Sequence, residues 1–191
     1  MIDPLPEPST EQSDPRYSQI DRLPTLQIAR LMNEADAAVP AAVALAIPAI
    51  SDAIDAIAER MGKGGRLLYV GAGTSGRLAV LDASECPPTF GTDPELVQGV
   101  IAGGHEALTR SVEGAEDDAD AGAAALAELE VGPLDSVVGV SASGRAPFVL
   151  GGRWRRRAAG RRSPSACRAT RARRCRPPPS TRSRSWWAPR W

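Results

Sequence analysis

A glycine-rich loop between a predicted strand and a predicted helix is the first feature that could do chemistry. The run Gly71-Ala-Gly-Thr-Ser-Gly-Arg77 follows the apolar residues 67–70 and precedes the helix-like residues 78–81. Such a loop presents backbone N–H groups and a helix N-terminus to an anion, and Thr74 and Ser75 add hydroxyl donors. Its spacing matches neither the Walker loop nor the three-glycine dinucleotide turn. The loop therefore suits a compact phosphate monoester, with an ordinary strand-to-helix turn as the alternative.

A second hydroxyl-bearing loop follows the predicted strand Ser136–Val140. It reads Ser141-Ala-Ser-Gly-Arg145 and precedes another helix start. Parallel strands bring their carboxyl ends to one rim of a sheet, so Ser141 and Ser143 should lie near the first loop and could clasp the same phosphate. The alternative is that these hydroxyls only cap helices.

Two glutamates could transfer protons. Glu85 lies in Asp82-Ala-Ser-Glu-Cys-Pro-Pro88, where the paired prolines are predicted to end the preceding helix abruptly and to stiffen the backbone. Glu116 lies in the acidic run 112–118, where a solvated helix charge is the alternative interpretation. His105 is a further candidate for a substrate contact, against a simple helix start. An acid and a base at one site are the pair that a proton-transfer reaction needs.

Hydrophobic periodicity predicts the elements that must position these side chains. Apolar strands that alternate with helices indicate an α/β fold with a parallel sheet covered on both faces. The predicted elements are helices over Leu26–Ala37 and from Pro40 to about Met61, strands over Arg66–Val70, Val97–Ala102 and Ser136–Val140, and a helix from about Glu106.

The composition of the chain changes abruptly after residue 152. All 23 acidic residues lie before that point, together with only nine of the 23 Lys and Arg. Residues 153–191 hold 14 Arg and all four Trp but no Leu, Ile, Val, Met or Phe. A segment without large aliphatic side chains cannot bury a core and is predicted to be disordered. Attraction to nucleic acid is the usual interpretation of such a tail.

Out-of-frame translation of GC-rich DNA explains the composition of the tail better than attraction to nucleic acid does. Trp has the single codon TGG, so reading Trp186-Trp187-Ala188 from the last base of each codon forces Val-Gly. The same offset permits Leu-Glu-Ala-Ala-Arg at residues 153–157, which is a good amphipathic helix start. We therefore expect a frameshift near Gly152.

Residues 1–152 indicate a protein of a reducing compartment. They contain one cysteine, Cys86, so no disulfide framework is expected. No signal peptide and no apolar run long enough to cross a bilayer is apparent, which favours the cytoplasm. With a single His in the chain, no metal site is expected.

The sequence resembles the N-acetylmuramic acid 6-phosphate etherases over roughly residues 9–152. The most specific motif is Ser-Glu-Cys-Pro-Pro at residues 84–88, because neighbouring sugar-isomerase (SIS) domains share the glycine loop without it. The family also has Val-Gly-Pro-Glu-Val where the shifted frame of the tail permits it. The motifs that carry the resemblance are Ile20–Thr25, Leu68–Gly91, Leu96–Gly104, Val112–Asp118 and Ser141–Pro147.

The resemblance implies a cytoplasmic enzyme of cell-wall sugar recycling with an SIS fold, usually a homodimer. Such enzymes convert N-acetylmuramate 6-phosphate and water into N-acetylglucosamine 6-phosphate and D-lactate, without a metal or organic cofactor. The implied partner is a small sugar phosphate, not a nucleic acid or a membrane. By the same resemblance, Glu85 matches the acid that protonates the departing lactyl oxygen and later activates water, and Glu116 matches the second catalytic carboxylate, a base for the C2 proton. The residues expected to hold the 6-phosphate are Thr74, Ser75, Ser141 and Ser143.

Four segments follow from the sequence. They are an extended arm (1–22), a helical segment (23–61), a partial SIS domain (62–152) and the Arg-rich tail (153–191). Family members continue well past residue 191, so a three-stranded sheet would keep an exposed apolar edge, and we expect the chain as written to be unstable and inactive.

A non-catalytic sugar-phosphate-binding SIS regulator is the alternative function. The acidic composition of residues 1–152 argues against a nucleic-acid binder.

Overall fold

The computed structural model describes residues 12–151. The predicted N-terminal arm (1–22) lies partly outside the described residues, and the predicted Arg-rich tail (153–191) lies wholly outside them. Four short 3-10 helices cover Pro15–Tyr17, Ile20–Arg22, Gly104–Leu108 and Ala115–Asp117. The main elements in chain order are α1 (Thr25–Ala37), α2 (Val39–Ala44), α3 (Ile47–Met61), β1 (Leu67–Gly71), α4 (Gly73–Phe90), β2 (Val97–Ile101), α5 (Ala119–Glu128) and β3 (Ser136–Val140).

The three strands form one parallel sheet in the order β2-β1-β3. In the register, Leu67 of β1 lies opposite Val97 of β2 and Ser136 of β3. This confirms the predicted α/β fold with a three-stranded, incomplete SIS-type sheet. The predicted bounds of β3 are confirmed, whereas β1 begins and ends one residue later than predicted. All three strands end at the same rim, where the loops singled out above must lie.

Helix α4 covers one face of the sheet and runs back along the strands from the rim. A Cβ atom built on Gly76 would lie 2.6 Å from Cγ1 of Ile101, at the end of β2. One turn later, a Cβ built on Gly99 would lie 2.7 Å from Cα of Val80. The helix therefore approaches the sheet as closely as glycine permits, and its C-terminal half lies away from the rim.

The other face of the sheet packs on the main core. Leu68 and Val70 are fully buried there, because alternate residues of a strand point to the same side. They contact Leu126 of α5 and Phe148, which follows β3. The sheet is thus covered on both faces by helical segments, as the predicted parallel sheet requires.

An ion pair joins the strand starts at the end opposite the rim. The guanidinium of Arg66 donates to both carboxylate oxygens of Asp135, at 3.3 and 2.8 Å, and to the carbonyl of Leu129 at 2.8 Å. The amides of Arg66 and Gly132 also donate to Asp135, at 2.8 and 2.7 Å. Burial tends to raise the pKa of Asp135, but these hydrogen bonds outweigh it and the pKa is lowered.

The N-terminal helices differ from the prediction. The predicted helix from Pro40 to Met61 is two helices, α2 and α3, separated at Leu45-Ala46. Pro48 in the first turn of α3 explains the break, because proline has no N–H to continue the hydrogen-bond ladder of α2. No residue of the three helices is buried.

Among residues 12–151, no single helix has the length and apolar character to cross a membrane, although Thr25–Ala44 and Ile47–Met61 meet that test as a pair bent by 62°.

Two further predictions about local structure were wrong. Helix α4 does not end at the paired prolines: Pro87 and Pro88 lie inside its last turn, so Glu85 is within the helix. Gly91 ends it instead, with φ 65° and its amide donating to the carbonyl of Pro87 at 2.8 Å. The helix predicted from about Glu106 is only the short 3-10 segment Gly104–Leu108.

Candidate functional site

A cavity of about 340 Å³ opens at the rim where the strands end. It brings together four of the six predicted site residues, from three different loops: Ser75, Glu116, Ser141 and Ser143. The remaining lining residues are Ala72, Asp117, Val140, Ala142, Arg145, Ala146 and Pro147.

The glycine loop supplies the backbone donors of the cavity. Ala72 precedes the first turn of α4 with extended backbone angles and offers no side-chain cap, so the first amides of this helix keep their capacity to bind an anion. A Cβ on Gly71 would lie 2.7 Å from the amide nitrogen of Gly76, so the turn needs glycine there. Ser75 is half-buried and lines the cavity. Thr74 is exposed and lies outside the lining.

The serine loop after β3 faces the glycine loop across the cavity. Ser141 Oγ accepts a hydrogen bond from the amide of Gly144 at 3.0 Å, and Ser143 Oγ accepts one from the amide of Arg145 at 3.2 Å. Both hydroxyls therefore hold the shape of their own loop. The amides of Gly144 and Arg145 precede the helix that begins at residue 147, so these two hydrogen bonds do not cap it. A hydroxyl that accepts in this way still has its hydrogen to donate, so both can also bind phosphate oxygens.

The acidic run places one glutamate at the cavity. Glu116 lies in the 3-10 turn Ala115–Asp117, after Gly114 with φ 74°, and it is not on a longer helix. Its neighbours have other contacts: Asp118 caps α5 by accepting from the amide of Ala121 at 2.8 Å, and Glu113 accepts from Ser111 Oγ at 2.9 Å. Among the clustered acids, geometry thus singles out Glu116 and Asp117 as the cavity-lining pair.

Arg77 holds the segment that leads to Glu116 against α4. Its Nε donates to the carbonyl of Leu108 at 3.2 Å, and Nη2 donates to the carbonyl of Arg110 at 3.1 Å. Val112 packs close to Gly103, where an added Cβ would lie 2.9 Å from the Cβ of that valine. The segment between β2 and α5 is therefore held at Leu108, Arg110 and Val112, a few residues before Glu116.

Sequence reasoning missed two charged residues at the cavity, Arg145 and Asp117. Both lie inside motifs that had been singled out for other residues, and the signal was the position of Arg145 as the last residue of the serine loop. A guanidinium suits a phosphate or a carboxylate because its N–H groups form a planar fork.

Two other candidates lie elsewhere. Glu85 is exposed in the fourth turn of α4 and is not among the residues that line the cavity. His105 is exposed in the 3-10 segment after β2 and is also outside the lining. Over the described part of the chain, no three His, Cys, Asp or Glu side chains are grouped as a metal ion would require.

Comparison with known proteins agrees with this fold. A family profile described as the glucokinase regulatory protein N-terminal SIS domain matches residues 49–153. Curated proteins named N-acetylmuramic acid 6-phosphate etherase are also similar. That of Streptomyces avermitilis is 61% identical over 143 residues, which is 75% of this chain and 46% of the relative. Those of Gloeobacter violaceus and Caldanaerobacter subterraneus are 58% and 54% identical, over 79% and 77% of this chain and 50% and 48% of the relatives. The chain spans about half the length of these relatives.

Proposed function

The chain belongs to the N-acetylmuramic acid 6-phosphate etherase family, within the SIS domain proteins, and from that premise we propose that the whole protein cleaves the D-lactyl ether of N-acetylmuramic acid 6-phosphate. The products would be N-acetylglucosamine 6-phosphate and D-lactate. One observation carries the proposal: a single cavity combines serine hydroxyls, the first turn of a helix and the carboxylate of Glu116. The proposal includes a homodimeric, cytoplasmic enzyme that acts on a small sugar phosphate.

The phosphate would bind between the two loops. Ser75 is on the glycine loop, while Ser141 and Ser143 are on the loop after β3, so their hydroxyls can donate to one phosphate from two sides. The amides at the start of α4 add backbone donors and the positive end of the helix dipole. Thr74 lies in the same helical turn but outside the cavity lining, so it would contribute to phosphate binding through the backbone of this turn.

The reaction would proceed by elimination and rehydration on the ring-opened sugar. A carboxylate, Glu116, removes the proton on C2, which is acidic because C2 adjoins the aldehyde. The C3–O bond breaks as Glu85 donates a proton to the ether oxygen, and D-lactate leaves. Water then adds at C3 and a proton returns to C2, so that substrate and water balance the two products. The two carboxyl groups must start in opposite protonation states.

Substitution of Glu116 tests the proposal. Lactate release from N-acetylmuramic acid 6-phosphate is followed by coupled oxidation of D-lactate, in the 191-residue chain and in a version with the reading frame restored. We expect Glu116→Gln to lower turnover by about 10²- to 10⁴-fold, as loss of a positioned general base does. Glu113→Gln is the matched control, since that acid belongs to the same run but does not line the cavity.

Two results would count against the proposal. Binding of the substrate without lactate release in either version would favour a non-catalytic regulator. Equal turnover in Glu116→Gln and Glu113→Gln would remove Glu116 from the mechanism.

A further inference from the structure

We propose that Arg145 binds the carboxylate of the D-lactyl group and so makes the cavity selective for sugar phosphates that carry a carboxyl-bearing ether. The inference rests on the proposed function, because that function supplies a ligand with such a carboxylate. Arg145 is the only cationic side chain among the described residues that line the cavity. It belongs to the serine loop, residues 141–145, and is not one of the residues assigned to the phosphate.

The substrate brings two anions to the cavity, and they suit different donors. Neutral donors can bind the phosphate, namely the hydroxyls of Ser75, Ser141 and Ser143 and the amides in the first turn of α4. The lactyl carboxylate is planar, and a guanidinium presents its N–H groups in a planar fork that matches the two carboxylate oxygens. The product N-acetylglucosamine 6-phosphate keeps the phosphate but lacks this carboxylate. A residue that binds the carboxylate therefore distinguishes substrate from product.

The acidic side chains of the cavity make a positive charge necessary for this ligand. Glu116 and Asp117 both line the cavity. In the proposed reaction Glu116 acts at C2, and the ether is on the adjacent C3, so the lactyl carboxylate comes within a few bonds of that acid. Carboxylates this close repel each other. The guanidinium of Arg145 can offset the repulsion, whereas a serine hydroxyl carries no charge with which to do so.

One loop can reach both anions of the substrate. The amide of Arg145 donates to Ser143 Oγ at 3.2 Å, and Gly144, with φ 68°, donates to Ser141 Oγ at 3.0 Å, so the backbone of Arg145 lies beside the two hydroxyls. An extended Arg side chain carries its guanidinium about 6 Å from Cα. In the substrate, C6, C5, C4, C3 and the ether oxygen separate the phosphorus from the carboxyl carbon by at most about 10 Å. The loop can therefore hold the phosphate near its backbone and the carboxylate at the end of this side chain.

The competing assignment places Arg145 on the phosphate. That assignment adds a further donor to an anion that already has three hydroxyls and a helix N-terminus. It also leaves the lactyl carboxylate without a cationic partner among the described residues of the cavity, beside Glu116. The carboxylate is thus the anion that lacks any other suitable partner there.

Paired titrations test the assignment. Binding of N-acetylmuramic acid 6-phosphate and of N-acetylglucosamine 6-phosphate is measured by isothermal titration in the 191-residue chain and in the frame-restored version, each with Glu116→Gln to suppress lactate release. We expect Arg145→Gln to raise the dissociation constant of the lactyl sugar by about 10- to 100-fold and that of the other sugar by less than about twofold, because only the first loses a charge-assisted pair. Ser75→Ala is the matched control and should weaken binding of both sugars by a similar factor.

A change in the ligand gives the same test without a substitution at Arg145. In an analogue of N-acetylmuramic acid 6-phosphate, a carboxamide replaces the lactyl carboxylate and removes its charge. The chain that retains Arg145 should bind this amide about as weakly as Arg145→Gln binds the acid. Arg145→Gln itself should not distinguish the acid from the amide.

The outcomes separate this inference from the proposed function. Losses in Arg145→Gln that are equal for the two sugars, or absent for both, would overturn the inference and leave the proposed function standing. Equal affinity of the Arg145 chain for the acid and the amide would do the same. Failure of both versions to bind either sugar would instead remove the proposed function, and this inference with it.

Discussion

At the scale of single residues, the hydroxyls of the serine loop have two roles at once. Ser141 and Ser143 accept hydrogen bonds from the amides of Gly144 and Arg145, which fixes the loop. Each serine hydroxyl still has its own hydrogen, which it can donate to a phosphate oxygen. Ser75 is placed differently, because it lines the cavity from the first turn of α4. The adjacent residue Thr74 also has a hydroxyl group but lies outside the cavity lining, so Thr74 serves as a control for Ser75.

We expect Ser75→Ala to weaken sugar-phosphate binding more than Thr74→Ala does. A hydrogen bond to a charged phosphate contributes about 1.5–3 kcal/mol, so the dissociation constant should rise by about 10- to 100-fold for Ser75→Ala. Isothermal titration with N-acetylglucosamine 6-phosphate measures both variants. Equal losses for the two substitutions would show that the cavity lining does not define the phosphate site.

At the scale of elements, the approach of α4 to the sheet depends on glycine. At Gly76 an added Cβ would meet the side chain of Ile101 at 2.6 Å and the carbonyl oxygen of Gly71 at 2.9 Å. The carbonyl belongs to the turn that shapes the cavity and cannot move away without displacing the loop. By contrast, Gly62 after α3 has ordinary contacts of 3.4 Å or more and a φ of −63°.

Gly76→Ala should therefore destabilise the chain, whereas Gly62→Ala should not. Overpacking against backbone typically costs about 1–3 kcal/mol, which exceeds the gain of about 1 kcal/mol from replacing glycine in a helix. Urea unfolding followed by circular dichroism measures the change in the free energy of unfolding. A Gly76→Ala variant as stable as Gly62→Ala would contradict the close packing of α4 on β2.

The ion pair at the strand starts links stability to pH. Asp135 is buried, and the hydrogen bonds from Arg66 and Gly132 lower its pKa below the ordinary value of 3.8. Its contribution to folding is therefore complete above pH 3.8 and is lost as the pH falls through the lowered value in the folded state. Because the pair joins the starts of β1 and β3, its loss should loosen the sheet at the end remote from the cavity.

Asp135→Asn should lower the free energy of unfolding at pH 7 by about 3 kcal/mol, since the partly buried guanidinium of Arg66 loses its partner. The difference from the unsubstituted chain should shrink as the pH falls below 3.8. Urea unfolding at pH 7 and at pH 3 measures this. Glu59→Gln, which breaks the exposed pair with Lys63, is the control and should change little. A gap between Asp135→Asn and the parent that widens towards low pH would contradict the sign of the pKa change.

At the scale of the whole molecule, much apolar surface has no cover among the described residues. None of the residues of α1, α2 and α3 is buried, and Leu45 and Ile54 are 84% and 58% exposed. The outer edges of β2 and β3 have no further strand in the described part of the sheet. Exposed apolar helix faces and open strand edges promote association between chains. The family members, about twice as long as the matched region, have additional chain with which to cover such surfaces.

The out-of-frame hypothesis for residues 153–191 belongs at this scale and is tested on the gene. Resequencing the codons for residues 151–154 should reveal an inserted or deleted base, after which the restored frame reads Val-Gly-Pro-Glu-Val where the present one ends. Genomic DNA without an open alternative frame downstream would contradict the hypothesis, and the Arg-rich composition of the tail would then need another explanation.

Much of the fold could be predicted from the sequence, because its signals are local. Strand Ser136–Val140 has the bounds that its apolar run predicted, and the glycine and serine loops follow β1 and β3 as expected. Helix ends were predicted less well. Pro87 and Pro88 did not end α4, since the packing of that helix on the sheet outweighs two missing hydrogen bonds, and Gly91 ends it with a left-handed conformation.

The sequence by itself determined the order of strands and helices, because side-chain periodicity and turn residues act over a few neighbouring positions. It also determined that hydroxyl-bearing loops and acidic residues occur in one chain. Only the tertiary structure decided which of these side chains meet. Ser75, Ser141 and Glu116 are far apart in sequence and share a cavity, whereas Ser75 and Glu85 are close in sequence and are separated by the length of a helix. The physical reason is that a parallel sheet gathers its strand ends at one rim, while each crossover helix carries its later residues away from that rim.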